Sequence, residues 1–378
     1  MSSQQRLFEL DALRGLSLLG IILMNILEFS FPYEQVNLSE VLVGSNAAIL
    51  HVVTLFVIGS FYPIFAFLFG YGLRIMYDNS QRKGLNYYPL IYRRLTFLMV
   101  LGLIHGMFIF SGDILFGYAL TGMIAVLFIQ SKTKSLVKGA LILFSLKIIL
   151  LVAPFAISSL LNDPYEQINY TGIPLSTLIE YNQNGNYLEF LKVNVIESIY
   201  SIIDVIFGSA YFEYLPYILI GMTAQKLNLV RKIQQQNQAA IKWGIICLSV
   251  GYLIKLPYAL DYANHSYQLI STIGGPIVAA GYILLFIAVY QYTKAARLLK
   301  VFTYLGKLSL SVYLSQSVIL TFIFMGVGLG LYDKLPLYQS YAIALTLYVV
   351  QIFACYGYLK YFKLGPMEWI WRKFTYLK

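Results

Sequence analysis

The chain has 378 residues, of which 59% are hydrophobic and only 12% are charged, and its mean hydropathy is +0.69. Soluble domains are typically about one-quarter charged, so this composition indicates an integral membrane protein and excludes an ordinary soluble domain. The net charge of +10 comes from short basic clusters between apolar runs, not from one basic aromatic surface, and this excludes a nucleic-acid partner.

Apolar runs long enough to cross a hydrocarbon core of about 30 Å recur along the whole sequence. They predict an all-α fold, a polytopic membrane helical bundle of about ten transmembrane helices in a single transmembrane domain, 1–378. The predicted spans lie near residues 13–31, 47–73, 95–110, 114–130, 139–161, 199–223, 241–260, 271–291, 310–331 and 340–361.

The basic residues predict the orientation of this bundle. All but four of the 27 Lys and Arg residues fall in segments on one side of the predicted arrangement. The exceptions are Lys147, Lys192, Lys255 and Lys334. The positive-inside rule therefore predicts that both termini are cytoplasmic.

Two segments between or after the predicted spans have a distinctive composition. Residues 162–198 form the longest connection, an external loop rich in Tyr, Asn and acidic groups. Either a loop that covers a site or a partly disordered loop fits this composition. Residues 364–378 combine Trp and Phe with Arg and Lys after a Gly-Pro pair, which predicts a cytoplasmic interfacial helix. This helix would serve as an anchor or as a lid on a cytoplasmic opening.

The first predicted span, "ELDALRGLSLLGIILMN" and the residues after it, carries polar groups that lipid would not tolerate. At about 100° per residue, Arg14, Asn25 and Glu28 fall on one face, with Asp11 at its start. Arg14 and Asn25 lie about 16 Å apart along the helix axis. Singly, each group could be interfacial or pack against a neighbouring helix; together they favour a lined cavity.

The stretch "RRLTFLMVLGLIHGMFIFSGDIL" has the same spacing: His105 follows Arg94 by 11 residues, as Asn25 follows Arg14. Histidine suits general base work near neutral pH, and a carboxylate can fix its tautomer. Asp113 follows in an "SGD" turn, with Tyr118 on the next arm, but a straight helix would keep Asp113 away from His105. A buried His hydrogen-bonded between helices is the alternative. Gln316 lies in "GKLSLSVYLSQS", where helix packing and ligand binding explain it equally well.

Cysteine and histidine usage argues against a metal or a disulfide. Cys247 and Cys355 both lie inside apolar runs, and the three histidines are dispersed without metal-ligand spacing. The sequence therefore predicts no disulfide framework and no metal centre.

Several motifs, in order across nearly the whole chain, carry a family resemblance: "LDALRGLSLLGIILMN", "FAFLFGYGL", "RRLTFLMVLGLIHG", "GDILFGYAL", "LIGMTAQKLNL", "LGKLSLSVYLSQS" and "GPMEWIWR". The sequence resembles the YeiB-like family of multi-spanning bacterial membrane proteins, known mainly as a domain of unknown function. This resemblance implies a location in the bacterial cytoplasmic membrane. One departure is Ser60, at a position where the family commonly has a charged residue.

The first motif is also similar to the opening of two groups of membrane acyltransferases. These are the bacterial enzymes that O-acetylate envelope glycans and the lysosomal heparan glucosaminide N-acetyltransferase. The similarity implies that Arg14 lies near the phosphates of an acyl-CoA and Asn25 near the reacting thioester. The bacterial group has His where this chain has Asn25, so His105 becomes the candidate base by elimination.

The leading hypothesis is transfer of an acyl group, such as acetyl, from cytoplasmic acyl-CoA to an extracytoplasmic acceptor such as an envelope glycan or lipid. Its expected catalytic residues are His105, Asn25 and Asp113; its acyl-CoA contacts are Arg14, Arg93 and Arg94; its substrate contacts are Asp11, Glu28, Tyr118 and Gln316. The hypothesis requires a tunnel beside Arg14 and Arg94 that reaches Asn25 and His105. A transporter or exporter of a small organic solute is the alternative, so enzymatic activity stays open. Membrane lipids are expected partners, and homo-oligomerisation stays open.

Overall fold

A computed structural model describes residues 8–32, 36, 44–160, 172–262 and 265–377, and within them all regular secondary structure is α-helical. The predicted all-α fold class is therefore confirmed. The helices are α1 Phe8–Ser30, α2 Ser45–Phe56, α3 Phe61–Arg82, α4 Tyr87–Phe108, α5 Leu115–Leu127, α6 Thr133–Leu160, α7 Leu175–Asn184, α8 Tyr187–Phe207, α9 Ser209–Glu213, α10 Leu215–Lys226, α11 Leu229–Gln235, α12 Asn237–Leu260, α13 His265–Val289, α14 Thr293–Lys307, α15 Ser309–Phe324, α16 Leu337–Tyr361 and α17 Pro366–Tyr376.

In the described part of the chain, 6 segments are helical, long and apolar enough to cross a membrane. The total rises to 7 if α14 and α15, which meet at 78°, together form one broken span. A polytopic helical bundle is thus supported, whereas ten spans and the cytoplasmic position of both termini stay predictions.

Several predicted spans are interrupted. The span predicted at 47–73 lies within one candidate span, Ser45–Arg82, in which residues 57–60 interrupt the helix between α2 and α3 and Gly59 has φ of +75°. Glycine adopts this left-handed backbone without steric cost, so the chain can turn there. The span predicted at 199–223 is divided among the end of α8, the short α9, and α10, which begins with Pro216 in its first turn. Apolar runs show where the chain is buried but not where its helices break.

Part of the predicted external loop is helical. Helix α7 and the first half of α8 fall within 162–198, whereas residues 161–171 lie outside the described part. Asn186 begins α8 with a capping box, because its side chain accepts from the backbone N–H of Leu188 and Glu189 while Glu189 bonds back to the Asn186 N–H. Such caps satisfy the free donors of a helix start. The segment therefore contributes a structured element that packs against α4.

Close helix crossings hold the bundle together where the polar residues lie. Helix α1 packs on α14 through Gly15 and Gly306: a Cβ at Gly306 would come within 1.7 Å of the Asp11 carbonyl oxygen, and one at Gly15 within 1.9 Å of the Phe302 oxygen. Small residues of this kind allow backbones of membrane helices to approach closely. The start of α1, with Asp11 and Arg14, is thereby held beside the bend between α14 and α15.

Candidate functional site

A large cavity, here named the basic cavity, lies among the start of α1, the end of α3, the start of α4, the α14–α15 bend and α17. Its volume is about 1020 Å³. Its basic lining residues are Arg14, Lys83, Arg94, Lys307, Arg372 and Lys373, and its acidic ones are Asp11 and Glu368. The excess of cations in an enclosed space favours an anionic ligand.

A second cavity, here named the acidic cavity, lies at the opposite ends of α1, α3 and α4. Its volume is about 620 Å³, and it is bordered by Asn25 together with the carboxylates Glu28, Asp113, Glu197, Asp204 and Glu213. None of the described residues that line it is Lys or Arg. The two cavities therefore carry opposite charge at opposite ends of the same helices.

Tyrosines separate the two cavities. Tyr118 and Tyr313 line the basic cavity, and Tyr62 and Tyr214 line the acidic one, whereas Ile114 lines both. The Tyr118 hydroxyl donates to the Tyr62 carbonyl oxygen at 3.0 Å, and the rings of Tyr118 and Tyr214 have centroids 4.6 Å apart. These residues form the partition. Because Ile114 borders both volumes, the two cavities approach each other at this residue.

His105 and Asp113 meet beside the partition. His105 Nδ1 lies 2.7 Å from Asp113 Oδ2, and the two side chains are only 1% and 4% exposed. The same Oδ2 accepts from the Tyr313 hydroxyl at 3.3 Å, and Oδ1 accepts from the Phe116 backbone N–H at 3.0 Å. The pairing forms because α4 ends at Phe108 and the following turn folds Asp113 back onto α4.

The geometry indicates which ring nitrogen of neutral His105 carries the proton. In the neutral ring, a carboxylate acceptor at Nδ1 assigns the proton to Nδ1 and leaves Nε2 as a proton acceptor. His105 Nε2 is buried and has no hydrogen-bond partner among the described residues. A buried imidazole with one nitrogen held by a carboxylate and the other unpaired is the arrangement of an oriented general base.

A glycine makes room for this pair. A Cβ at Gly102 would lie 2.7 Å from Asp113 Oδ1 and 2.5 Å from the Phe116 nitrogen. Any larger side chain would push the turn away from α4 and separate the carboxylate from the imidazole. The spacing of Gly102 and His105 on one face of α4 was readable in the sequence. The fold of the turn over that face was not.

The polar face of α1 lines the two cavities in succession. Arg14 Nη1 pairs with Asp11 Oδ1 at 3.0 Å, and both residues line the basic cavity. Asn25 and Glu28 line the acidic cavity instead. The expected single tunnel that reaches Asn25 from Arg14 is therefore corrected to two volumes divided by the partition. His105, predicted as its second wall, is buried beside the partition and lines neither cavity.

The C-terminal helix α17 closes the basic cavity. The Arg94 guanidinium lies over the Trp371 ring, 3.4 Å from its centroid, and Trp371 Nε1 donates to the Arg94 carbonyl oxygen at 2.8 Å. Glu368 accepts from the backbone N–H groups of Leu310 and Ser311 at 2.8 and 3.1 Å, and thereby caps the start of α15. Helix α17, Pro366–Tyr376, forms one wall of this cavity, and the cytoplasmic interfacial position predicted for 364–378 stays a prediction.

Two residues predicted to contact ligands have other surroundings. Arg93 does not line the basic cavity; its Nη1 donates to the Thr375 carbonyl oxygen at 3.5 Å, which ties α4 to α17. Gln316 is buried and lines neither cavity, and its Nε2 donates to Gln351 Oε1 at 2.9 Å. The helix-packing alternative therefore describes Gln316. Tyr118, by contrast, lies in the partition itself.

The sequence reading missed a buried ion pair next to the partition. Lys147 Nζ lies 2.6 Å from Glu213 Oε1, and the Lys147 side chain is only 2% exposed. The Tyr62 hydroxyl also donates to Glu213. A lysine in the middle of an apolar run was a visible signal, because intramembrane charges normally have a partner. The sequence does not show how deep Glu213 lies in the membrane, so it does not identify this carboxylate as the partner of Lys147.

Fold and site together define the class: a polytopic helical membrane protein with two oppositely charged cavities. Residues 224–378 match the family described as "Protein of unknown function (DUF418)". The chain is 26% identical to "Uncharacterized protein YxaH" of Bacillus subtilis strain 168, over 99% of this chain and 95% of that protein. It is 28% identical to "Uncharacterized protein YeiB" of Escherichia coli strain K12, over 98% of this chain and 96% of that protein.

These matches confirm the resemblance to the YeiB-like family that the sequence motifs indicated. Similarity to acyltransferases is not shown by them. No solved structure matches the chain significantly.

Proposed function

We propose that this protein transfers an acyl group, such as acetyl, across the bacterial cytoplasmic membrane from acyl-CoA to an extracytoplasmic acceptor. The observation that carries the proposal is the His105–Asp113 pair, which lies beside the partition between a basic and an acidic cavity. The buried Nε2 of His105 would reach a donor from one side and an acceptor from the other only once the partition opens.

The basic cavity suits the donor. Coenzyme A carries several phosphate groups, and guanidinium and ammonium groups bind phosphate through charge-assisted hydrogen bonds. Arg14, Lys307 and Arg372 line this cavity from three different helices. Its volume of about 1020 Å³ is at the upper end of small-molecule sites, which span roughly 300–1,000 Å³. The thioester end of such a ligand would reach the partition beside Ile114.

The proposed reaction moves one proton through His105. An acceptor hydroxyl or amine in the acidic cavity loses its proton to His105 Nε2 while its oxygen or nitrogen attacks the thioester carbonyl. The carbon–sulfur bond then breaks, the acyl group stays on the acceptor, and the thiolate takes the proton back from His105. Asn25, on the acidic side, would donate to the oxyanion that forms in between. Because His105 is buried and lines neither cavity, Ile114 and the side chains that cover Nε2 would have to move aside during this step.

The charge of the acidic cavity restricts the acceptor. Carboxylates repel an anionic acceptor and tolerate a neutral or cationic one. An envelope glycan or lipid with a free hydroxyl or amino group therefore fits this cavity better than an acidic polymer does.

Solute transport is the second candidate, and one observation favours it. Two cavities at opposite ends of the bundle with a closed partition between them also suit alternating access. In that case the buried Lys147–Glu213 pair, close to the partition, would carry protons or bind the solute.

The test uses purified protein with radiolabelled acetyl-CoA and envelope material. We expect label in the acceptor with the wild type and a loss of about 10²- to 10⁴-fold with His105→Ala, the range for removal of a general base. His51→Ala is the matched control, because His51 bonds to the Ala259 carbonyl oxygen and lines neither cavity. If no acylated product forms while a solute accumulates in proteoliposomes, transport is the function.

A further inference from the structure

Helix α8 forms hydrogen bonds with the last turn of α4, which carries His105. Asn194, which is 4% exposed, donates from Nδ2 to the carbonyl oxygens of Gly106 and Met107 at 2.7 and 2.8 Å. Its Oδ1 accepts from the Ser111 backbone N–H at 2.9 Å. One side chain therefore bonds to both arms of the turn that joins His105 to Asp113.

The carbonyls that Asn194 binds are ones that α4 itself leaves without a partner. The last four carbonyl groups of a helix have no intrahelical donor, and in a buried position each needs another. Ser198, one turn further along α8, also donates to the Gly106 oxygen at 2.8 Å. Helix α8 thus supplies hydrogen-bond partners to the end of α4 and to the turn.

The position of Asn194 matters for the His105–Asp113 pair. Gly106 follows His105 directly, and Ser111 precedes Asp113 by two residues, so Asn194 fixes the distance between the backbones that carry the two side chains. Among the described side chains of α4 and of the turn, the His105–Asp113 contact is the one that spans the two arms in this way. The His105–Asp113 pair therefore depends on α8, which lies outside α4 and the turn that carry the pair.

We propose that Asn194 is a positioning residue: it holds the turn so that Asp113 keeps the proton of neutral His105 on Nδ1 and Nε2 unprotonated. The inference rests on the proposed function only in taking His105 as the base. It assigns a role to the region predicted from sequence as an external loop. That segment would then be part of the reaction centre and not merely a tether or a cover.

The test reads the tautomer directly by ¹⁵N nuclear magnetic resonance of the protein labelled at histidine. The chain has 3 histidines, so the spectrum is simple, and His105→Gln assigns the resonance. In the wild type we expect His105 to show a protonated Nδ1 and an unprotonated Nε2. In Asn194→Ala we expect a mixture of the two tautomers. Asn182→Ala is the matched control, since Asn182 is also a buried Asn of this region but its side chain has no hydrogen bond to α4 among the described residues.

Asn194→Asp is the second variant, in case the alanine variant does not fold. It has the same size and can still accept from Ser111, but it cannot donate to Gly106 and Met107, so we expect the same mixture. If either folded variant keeps the wild-type tautomer, the proposal is wrong. Asp113→Ala separates this failure from that of the proposed function: an unchanged tautomer there would mean that the His105–Asp113 pair itself does not exist.

Discussion

The two cavities differ in how their charged groups are held. At the basic end, several of the cations lie at helix ends or on α17, and Arg94 rests on a tryptophan of a helix that covers the opening. At the acidic end, Asp113 and Glu213 are fixed by buried partners from other helices. Under the proposed function, the basic end would admit a polyanion beside α17, while the acidic end holds two of its carboxylates in a fixed geometry.

The largest expected effect concerns the fixed acidic end. Glu213→Gln leaves Lys147 without its carboxylate in a site that is 2% exposed, and breaking a buried pair typically costs about 3–5 kcal/mol. We expect a loss toward the lower end of that range, because Glu213 is itself 29% exposed. The measurement is the unfolding free energy in lipid or detergent. The double variant Glu213→Gln with Lys147→Met should recover most of the loss; if it does not, the two residues are not coupled.

Helix α1 offers a direct comparison of the two cavities, since one face of it lines both. Arg14→Gln should weaken coenzyme A binding by about 10- to 100-fold, because a hydrogen bond to a charged group is worth about 1.5–3 kcal/mol. Glu28→Gln, on the same helix but in the acidic cavity, should leave that affinity unchanged. Calorimetric titration with coenzyme A measures both. Equal effects would mean that the cavities do not discriminate by charge.

Much of this arrangement could be predicted from the sequence, and the reasons are local. Composition and apolar runs identified the all-α membrane class, and helical periodicity placed Arg14, Asn25 and Glu28 on one face. The division of that face between two cavities could not be predicted, because the partition is made by tyrosines from α3, α5 and α15 and by Tyr214, which lies between α9 and α10. Only the tertiary fold brings them together. Likewise, the contact between His105 and Asp113 depends on a turn whose path over Gly102 no periodicity describes.

A smaller effect should show whether α17 covers the basic cavity or serves only as a membrane anchor. Trp371→Leu removes the cation–π contact with Arg94, worth about 0.5–2 kcal/mol, and one hydrogen bond to its backbone. We expect faster amide hydrogen exchange in Pro366–Tyr376 and little change around the turn at Asp113. Trp369→Leu is the control, because its ring is half exposed and stacks only with Lys373 of the same helix. If amide exchange is unchanged in both variants, Trp371 does not hold α17 against α4.

The smallest effect is expected at Gln316, which lies in neither cavity. Replacing Gln316 and Gln351 together by Leu removes both partners of a buried hydrogen bond, an exchange that can be nearly neutral for stability. Binding of coenzyme A and the His105 tautomer should both stay as in the wild type. A clear loss of ligand affinity in this double variant would restore Gln316 to the binding site.

The most direct test of the central claim uses sealed proteoliposomes with the protein in a single orientation. Radiolabelled acetyl-CoA is supplied only on the side of the basic cavity, and a hydroxyl- or amine-bearing envelope acceptor only on the other. The account predicts that label reaches the acceptor while coenzyme A stays on its own side, and that His105→Ala abolishes the transfer. Transfer at the wild-type rate by His105→Ala, or labelled product only when donor and acceptor share one side, would contradict it.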